Sequence, residues 1–304
     1  MATNPVVRQL LRPPRRPAGR KLAMRRAFPL RESILVAFAR TLRYARTAAR
    51  RASADPEGAV HEYRKSIRRA RAVVALLRPA LGAKASAGIS RELRRAFAET
   101  GAFRDADVLL ATLRQVPCDD PARPAIEEAL GRERAQDRGA AAALEAASRI
   151  LRPLPDTLRV TLPEAYSMDD LADGLSRSVR RVQATLARAS ETGLDADLHE
   201  WRKRVKELRY QLEMLASSGS AALKRREKAF AALAEDLGET TDLILLQAAL
   251  AERAARGEIA EAPALTAAIR DAVAARAQAQ LERGRALFAV PHGEFARLVL
   301  AERG

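Results

Sequence analysis

The 304 residues predict an all-α chain: four helices, a linker and four more helices, produced by an internal duplication. Three observations carry this reading. Leu, Ala and Arg dominate, while β-branched clusters and hairpin signals are scarce. Apolar residues recur at helical spacing in segments parted by Pro or Gly. An eleven-residue motif starting at His61 returns at His199.

The chain opens on an arm, 1–29, expected to be disordered. It holds eight cations, no acid, and Pro5, Pro13, Pro14, Pro17 and Pro29. It is Arg-rich and acid-poor, as transit peptides are, but its prolines break any amphipathic helix and no apolar core marks secretion. Repeat one, 30–150, is expected to place helices near 31–53, 56–78, 86–115 and 122–150. Asp55-Pro56, Pro79, Gly82, Pro117 and Pro121 punctuate them. Pro153, Pro155 and Pro163 then predict a non-helical linker over 151–167. Repeat two, 168–304, resumes with helices near 168–191, 195–216, 220–256 and 262–289, which leaves His292 in a loop.

The duplication is legible residue by residue. His61-Glu-Tyr-Arg-Lys-Ser-Ile-Arg-Arg-Ala-Arg71 lies over His199-Glu-Trp-Arg-Lys-Arg-Val-Lys-Glu-Leu-Arg209 at an offset of 138. An offset of 137 puts Arg40 on Arg177, Arg43 on Arg180, Gly101 on Gly238 and Asp105 on Asp242. At about 100° per residue, His61, Arg64, Lys65, Arg68 and Arg71 fall within about 120° of arc along roughly 15 Å of helix. Val60, Tyr63, Ile67, Ala70, Val74 and Leu77 form the opposite, core face. His199, Arg202, Lys203, Lys206 and Arg209 make the same stripe, backed by Leu198, Trp201, Val205, Leu208, Leu212 and Leu215. Like charges at i,i+4, such as Arg64/Arg68 and Arg202/Lys206, each cost a helix about 0.2–0.5 kcal/mol. A stripe that recurs with His at the same end therefore reads as an anion site.

Composition narrows the partner. The apolar share is 48%, so the chain folds, and no apolar run approaches the roughly 20 residues that span a bilayer. Cys118, the single cysteine, excludes an internal disulfide framework and fits a reducing, cytoplasmic setting. Aromatics at 4% leave few platforms for stacking single-stranded bases. The net charge of +16 points to a polyanion but names none. Residues 1–50 hold thirteen cations against one acid, a net of +12, whereas 51–304 hold 41 against 37, a net of +4. The arm is expected to add weak, non-specific affinity for polyanions, nucleic acids included.

The repeated HExRKxΦ(R/K)xxR pattern resembles the CHAD family, the conserved histidine α-helical domain. The run Glu99-Thr-Gly-Ala-Phe-Arg-Asp-Ala-Asp-Val108 is similar to that family's LG-x-x-RD-x-D-V element. The resemblance covers about 31–300. It implies two four-helix bundles related by pseudo-two-fold symmetry, with basic helices lining a central channel. It also implies non-catalytic binding of inorganic polyphosphate and, as in several members, association with polyphosphate granules. On that basis Arg40, Arg43, Arg177 and Arg180 join the two stripes around the phosphate chain. Thr241 and Ile244 depart from the pattern, where repeat one has Arg104 and Asp107, so the turn of repeat two is expected to lack a salt bridge or cap. The ExExK strand of the CYTH triphosphatases that precede many relatives is missing from the sequence.

The histidines keep alternatives open. His61 and His199 are candidate channel donors, phosphate acceptors or metal ligands, the last opposed by the cations on their own face. Glu62 and Glu200, in the first turn off the stripe, suit the helix dipole. Arg104, Asp105 and Asp107 read as capping or ion-pairing residues, not as a catalytic set. No P-loop, GxGxxG, GxSxG or HExxH occurs, and neither a cofactor nor a metal is expected. The competing readings are a nucleic-acid-binding protein dominated by its arm and a metal-dependent phosphohydrolase using His61 and His199.

Overall fold

Proline and short polar residues set the helix starts. The computed structural model describes residues 24, 28–135, 139–217 and 219–303; the side chains of 102–107 and 133–135 lie outside that description. Helix α1 spans Leu30–Ala49 and α2 spans Pro56–Leu76. Proline suits the first turn of α2, where no N–H is needed, and the Asp55 carboxylate accepts from Gly58 N at 2.9 Å. Helix α3, Arg78–Ala98, starts at Pro79 instead of stopping there, and Gly82 bends it at φ 74°. Helix α4, Ala102–Gln115, follows a break at Gly101, so the expected 86–115 helix is two.

Helices α5 (Arg123–Ala135) and α6 (Ala140–Leu151) replace the single helix expected over 122–150. The linker is not wholly irregular either: Leu154–Thr161 forms α7. Pro153 and Pro155 occupy its N-cap and first turn, where proline removes no helical hydrogen bond. Its far end is closed by Arg31, a buried guanidinium that donates to Arg159 O at 2.8 Å, Pro163 O at 3.0 Å and Leu162 O at 3.1 Å.

Helix α8 (Met168–Thr192) opens on a Ser167/Asp170 capping box and closes on Gly193 at φ 64°. Then come α9 (Asp195–Ala216), α10 (Ala221–Ala255), α11 (Pro263–Leu287) and α12 (His292–Arg303). The expected turn near Gly238 does not exist. Helix α10 runs straight through it, and Thr241 Oγ1 donates back to Leu237 O at 2.8 Å. His292 begins a helix and is not a loop residue; its Nδ1 lies 2.8 Å from Ser176 Oγ of α8.

The packing of the later helices follows that of the earlier ones. Helices α1 and α2 pair as do α8 and α9; α2 meets α3 as α9 meets α10; α7 covers α1 and α3 as α12 covers α8 and α10. Helices α2 and α9 meet at the centre. One apolar core runs from Ile34 and Phe38 through Tyr63, Ile67 and Trp201 to Phe295. A second core joins α4 and α5 to the far end of α10 and the start of α11, through Leu113, Ile126, Leu246 and Ile269. Met24, placed by sequence in a disordered arm, is instead buried, and its N–H donates to Ser217 Oγ at 2.9 Å. The rest of the arm up to residue 23 lies outside the described residues.

Candidate anion-binding site

Helices α2 and α9 meet in opposite directions. Arg69 holds Glu213 with two bonds, of 3.2 and 2.6 Å, while the later Ala72 accepts from the earlier Gln211 at 3.1 Å. His61 lies eleven residues before Ala72 and His199 twelve before Gln211, about 16–18 Å of helix in each case. These lengths lead away from each other, so the two histidines cannot ligate one metal. Among the described residues, no group of three or more His, Cys, Asp or Glu is placed to hold a metal ion.

On α2 the five stripe residues have different surroundings. His61 is exposed, and Lys65, Arg68 and Arg71 are half-buried. Arg64 is buried: it donates to Thr100 O at 2.8 Å and lies 3.9 Å over the Phe97 ring, clamping α2 to the frayed end of α3. Arg68 approaches the same ring at 5.9 Å. Burial lowers the Arg71 pKa; Glu207 opposes the shift, while Arg94, Arg204 and Arg68 add to it.

Helix α9 carries the second stripe. Arg202 reaches over Gly238, its Nη2 3.8 Å from where a β-carbon would stand. Lys203 pairs with Glu200 at 3.2 Å, Lys206 is half-buried, and Arg209 lies 5.4 Å over the Tyr210 ring. Glu200 also pairs with Arg204. Burial first, then Lys203 and Arg202, hold the His199 imidazole below its usual pKa against the pull of Glu200 and Asp242. The carboxylate of Asp242, on α10, thus acts on His199 across the α9–α10 contact. The side chains of Arg104, Asp105 and Asp107, including the counterpart of Asp242, lie outside the described residues.

The flanking arginines divide. Burial and its neighbours Arg46 and Arg40 lower the Arg43 pKa; burial, Arg152 and Arg50 do the same to Arg46. Arg40 and Arg43 therefore belong to a basic patch on α1 that reaches the end of α6. Arg177 belongs to the crossing: burial, Arg78 and Arg180 depress its pKa, and Glu207 opposes them. There Glu207 accepts from Arg181 at 3.2 Å and lies 3.8 Å from Arg204. Arg78, Arg181 and Arg204 lie outside the recurring positions that mark the stripes, and in the sequence Glu207 stands out only as an acid off the stripe. Arg204 aligns with Ser66, Arg181 with Tyr44 and Glu207 with Arg69.

The guanidinium Nε atoms of Arg68, Arg177 and Arg209 are buried without a hydrogen-bond partner. A buried donor left unsatisfied costs about 1–3 kcal/mol, more when charged. Oxyanions are the class of acceptor whose geometry the Arg fork matches.

No helix among the described residues is long and apolar enough to cross a membrane. No curated protein matches the chain. Among solved structures, the crystal structure of the CHAD domain from the plant Ricinus communis is similar, with a TM-score of 0.67 at 22% identity over 91% of this chain and 98% of that one. At that identity the likeness speaks for the fold. The CHAD domain model itself matches residues 33–251, well over half the chain, with both histidine-led basic helices inside the match. The protein belongs to the CHAD domain family.

Proposed function

We propose that the protein binds inorganic polyphosphate along the basic faces of its two halves without turning it over. The observation that carries this reading is the set of three buried guanidinium donors, on α2, α8 and α9, that lack acceptors. Polyphosphate has no bases to read, so recognition rests on charge density and on hydrogen bonds to non-bridging oxygens. The candidate ligands on the first half are Arg40, Arg43, His61, Arg64, Lys65, Arg68 and Arg71. Their partners on the second are Arg177, Arg180, His199, Arg202, Lys203, Lys206 and Arg209. The matching order of packing in the two halves supports a duplicated, pseudo-two-fold domain with the site between its repeats. Residence in the cytoplasm, at polyphosphate granules, is part of the same proposal.

The opposed course of α2 and α9 weighs against a hydrolytic site that shares one metal between His61 and His199. Competition binding tests the proposal. Long-chain polyphosphate is expected to displace duplex DNA from the full chain at physiological salt. Retention of DNA instead would favour the nucleic-acid reading, and phosphate release with Mg²⁺ or Mn²⁺ would establish an enzyme.

A further inference from the structure

We propose that Glu207 is a built-in anion that competes with phosphate for the arginines at the helix crossing and thereby sets the affinity of the site. The inference rests on the polyphosphate reading above and adds a residue that weakens binding.

Two carboxylates at the crossing show the contrast. Glu213 is matched by one arginine through two bonds, and the side chains of Arg69 and Glu213 are only 6% and 3% exposed. That pair is complete and closed to solvent. Glu207 is neither. It faces Arg181 of α8 and Arg204 of its own helix, while Arg71 from α2 and Arg177 from α8 also act on it. Arg78 from the start of α3 acts on Arg177 and Arg181 in turn. Glu200, two turns earlier, repels Glu207 and holds Arg204 from the other side.

Glu207 thus stands among four guanidinium groups, only one of which, Arg204, is shared with Glu200. Carboxylate and phosphate use the same planar fork of arginine. An arriving phosphate meets donors already engaged and must exchange with Glu207. Such an exchange is open, because Arg181 and Glu207 keep 32% and 20% of their side-chain surface exposed. Burial also raises the pKa of the Glu207 carboxyl despite the surrounding cations, so its charge is held at a cost. Repeat one has no such competitor: the matching position is Arg69.

Glu207→Gln in the full chain tests this, read by titration with long-chain polyphosphate alongside a thermal melt. Affinity is expected to rise about 1.5- to five-fold, the range of a partly exposed ion pair. In an Arg181→Gln background the gain should shrink, because the competed donor is gone. Unchanged or weaker binding by a folded Glu207→Gln protein overturns the inference. If that variant fails to fold, Glu207→Asp, which withdraws the carboxylate by one methylene, should still bind more tightly, and weaker binding by it overturns the inference equally. Failure of the unmutated chain to bind polyphosphate at all would sink the reading of the site itself, a separate outcome.

Discussion

Arg64 and Arg68 sit one helical turn apart on α2, yet physical chemistry assigns them different work. Arg64 satisfies the Thr100 carbonyl and covers Phe97. Arg68 keeps a buried Nε–H that no acceptor meets. Arg64→Gln is therefore expected to destabilise the fold by about 1–3 kcal/mol, the cost of a stranded buried polar group. Arg68→Gln should not lower the melting temperature, and it should weaken polyphosphate binding several-fold. Parallel thermal melts and titrations of both variants decide it; equal loss of stability would show that Arg68 too is structural. The helical spacing that made a stripe of these residues was legible in the sequence. What each touches was not, because Phe97 and Thr100 lie 33 and 36 residues away in the chain. Glu207 was legible as an acid interleaved off the stripe, but the arginines it meets on α8 were not, because Arg181 lies 26 residues away in the chain.

Helices are held by what closes and abuts their ends. Asp120 sits between α4 and α5, where one carboxylate oxygen accepts from Ala122 N at 2.9 Å and the other from Leu265 N, in the first turn of α11, at 3.0 Å. These backbone donors hold its pKa below the usual carboxylate range. The folded state thus binds the Asp120 proton more weakly than the unfolded chain. The stabilisation is complete above the ordinary pKa of Asp and is lost as pH falls through the lowered one. Asp120→Ala should melt earlier than wild type at neutral pH, and the gap should close on acidification. A gap constant down to acid pH would mean that the charge is not what caps α11. Gly174 marks a different junction, where α8 touches the end of α2: a β-carbon there would stand 1.9 Å from Leu76 O. Gly174→Ala is expected to cost about 1–3 kcal/mol or more, read as a lower melting temperature. Most helices were legible from apolar spacing and caps. Helix α7 was hidden because its prolines fall in the one turn that tolerates them. The start of α12 was hidden because its anchor, Ser176, lies 116 residues from His292.

At the scale of the molecule, most of the net charge and the proposed binding faces are located in different places. The first 50 residues carry a net of +12, while the region holding both stripes carries +4. Not all of that early charge is free: Arg31 caps α7, and Met24 docks on Ser217, so the chain is already committed to the fold by residue 24. A truncation meant to remove the arm must therefore stop short of Met24. Removing residues 1–22 takes away six cations and leaves Met24 in place. Each phosphate neutralised by a cation lowers the slope of log affinity against log salt by about 0.7–0.9. If the arm supplies diffuse attraction and the helix faces supply the site, truncation should flatten the salt dependence for duplex DNA and polyphosphate alike. At physiological salt, however, DNA affinity should fall by an order of magnitude or so, and polyphosphate affinity by only a few-fold. Loss of nearly all polyphosphate binding on truncation would move the site into the arm. The expected distinction follows from geometry, because scattered cations neutralise any polyanion, whereas forked donors fixed on packed helices would discriminate by where they point.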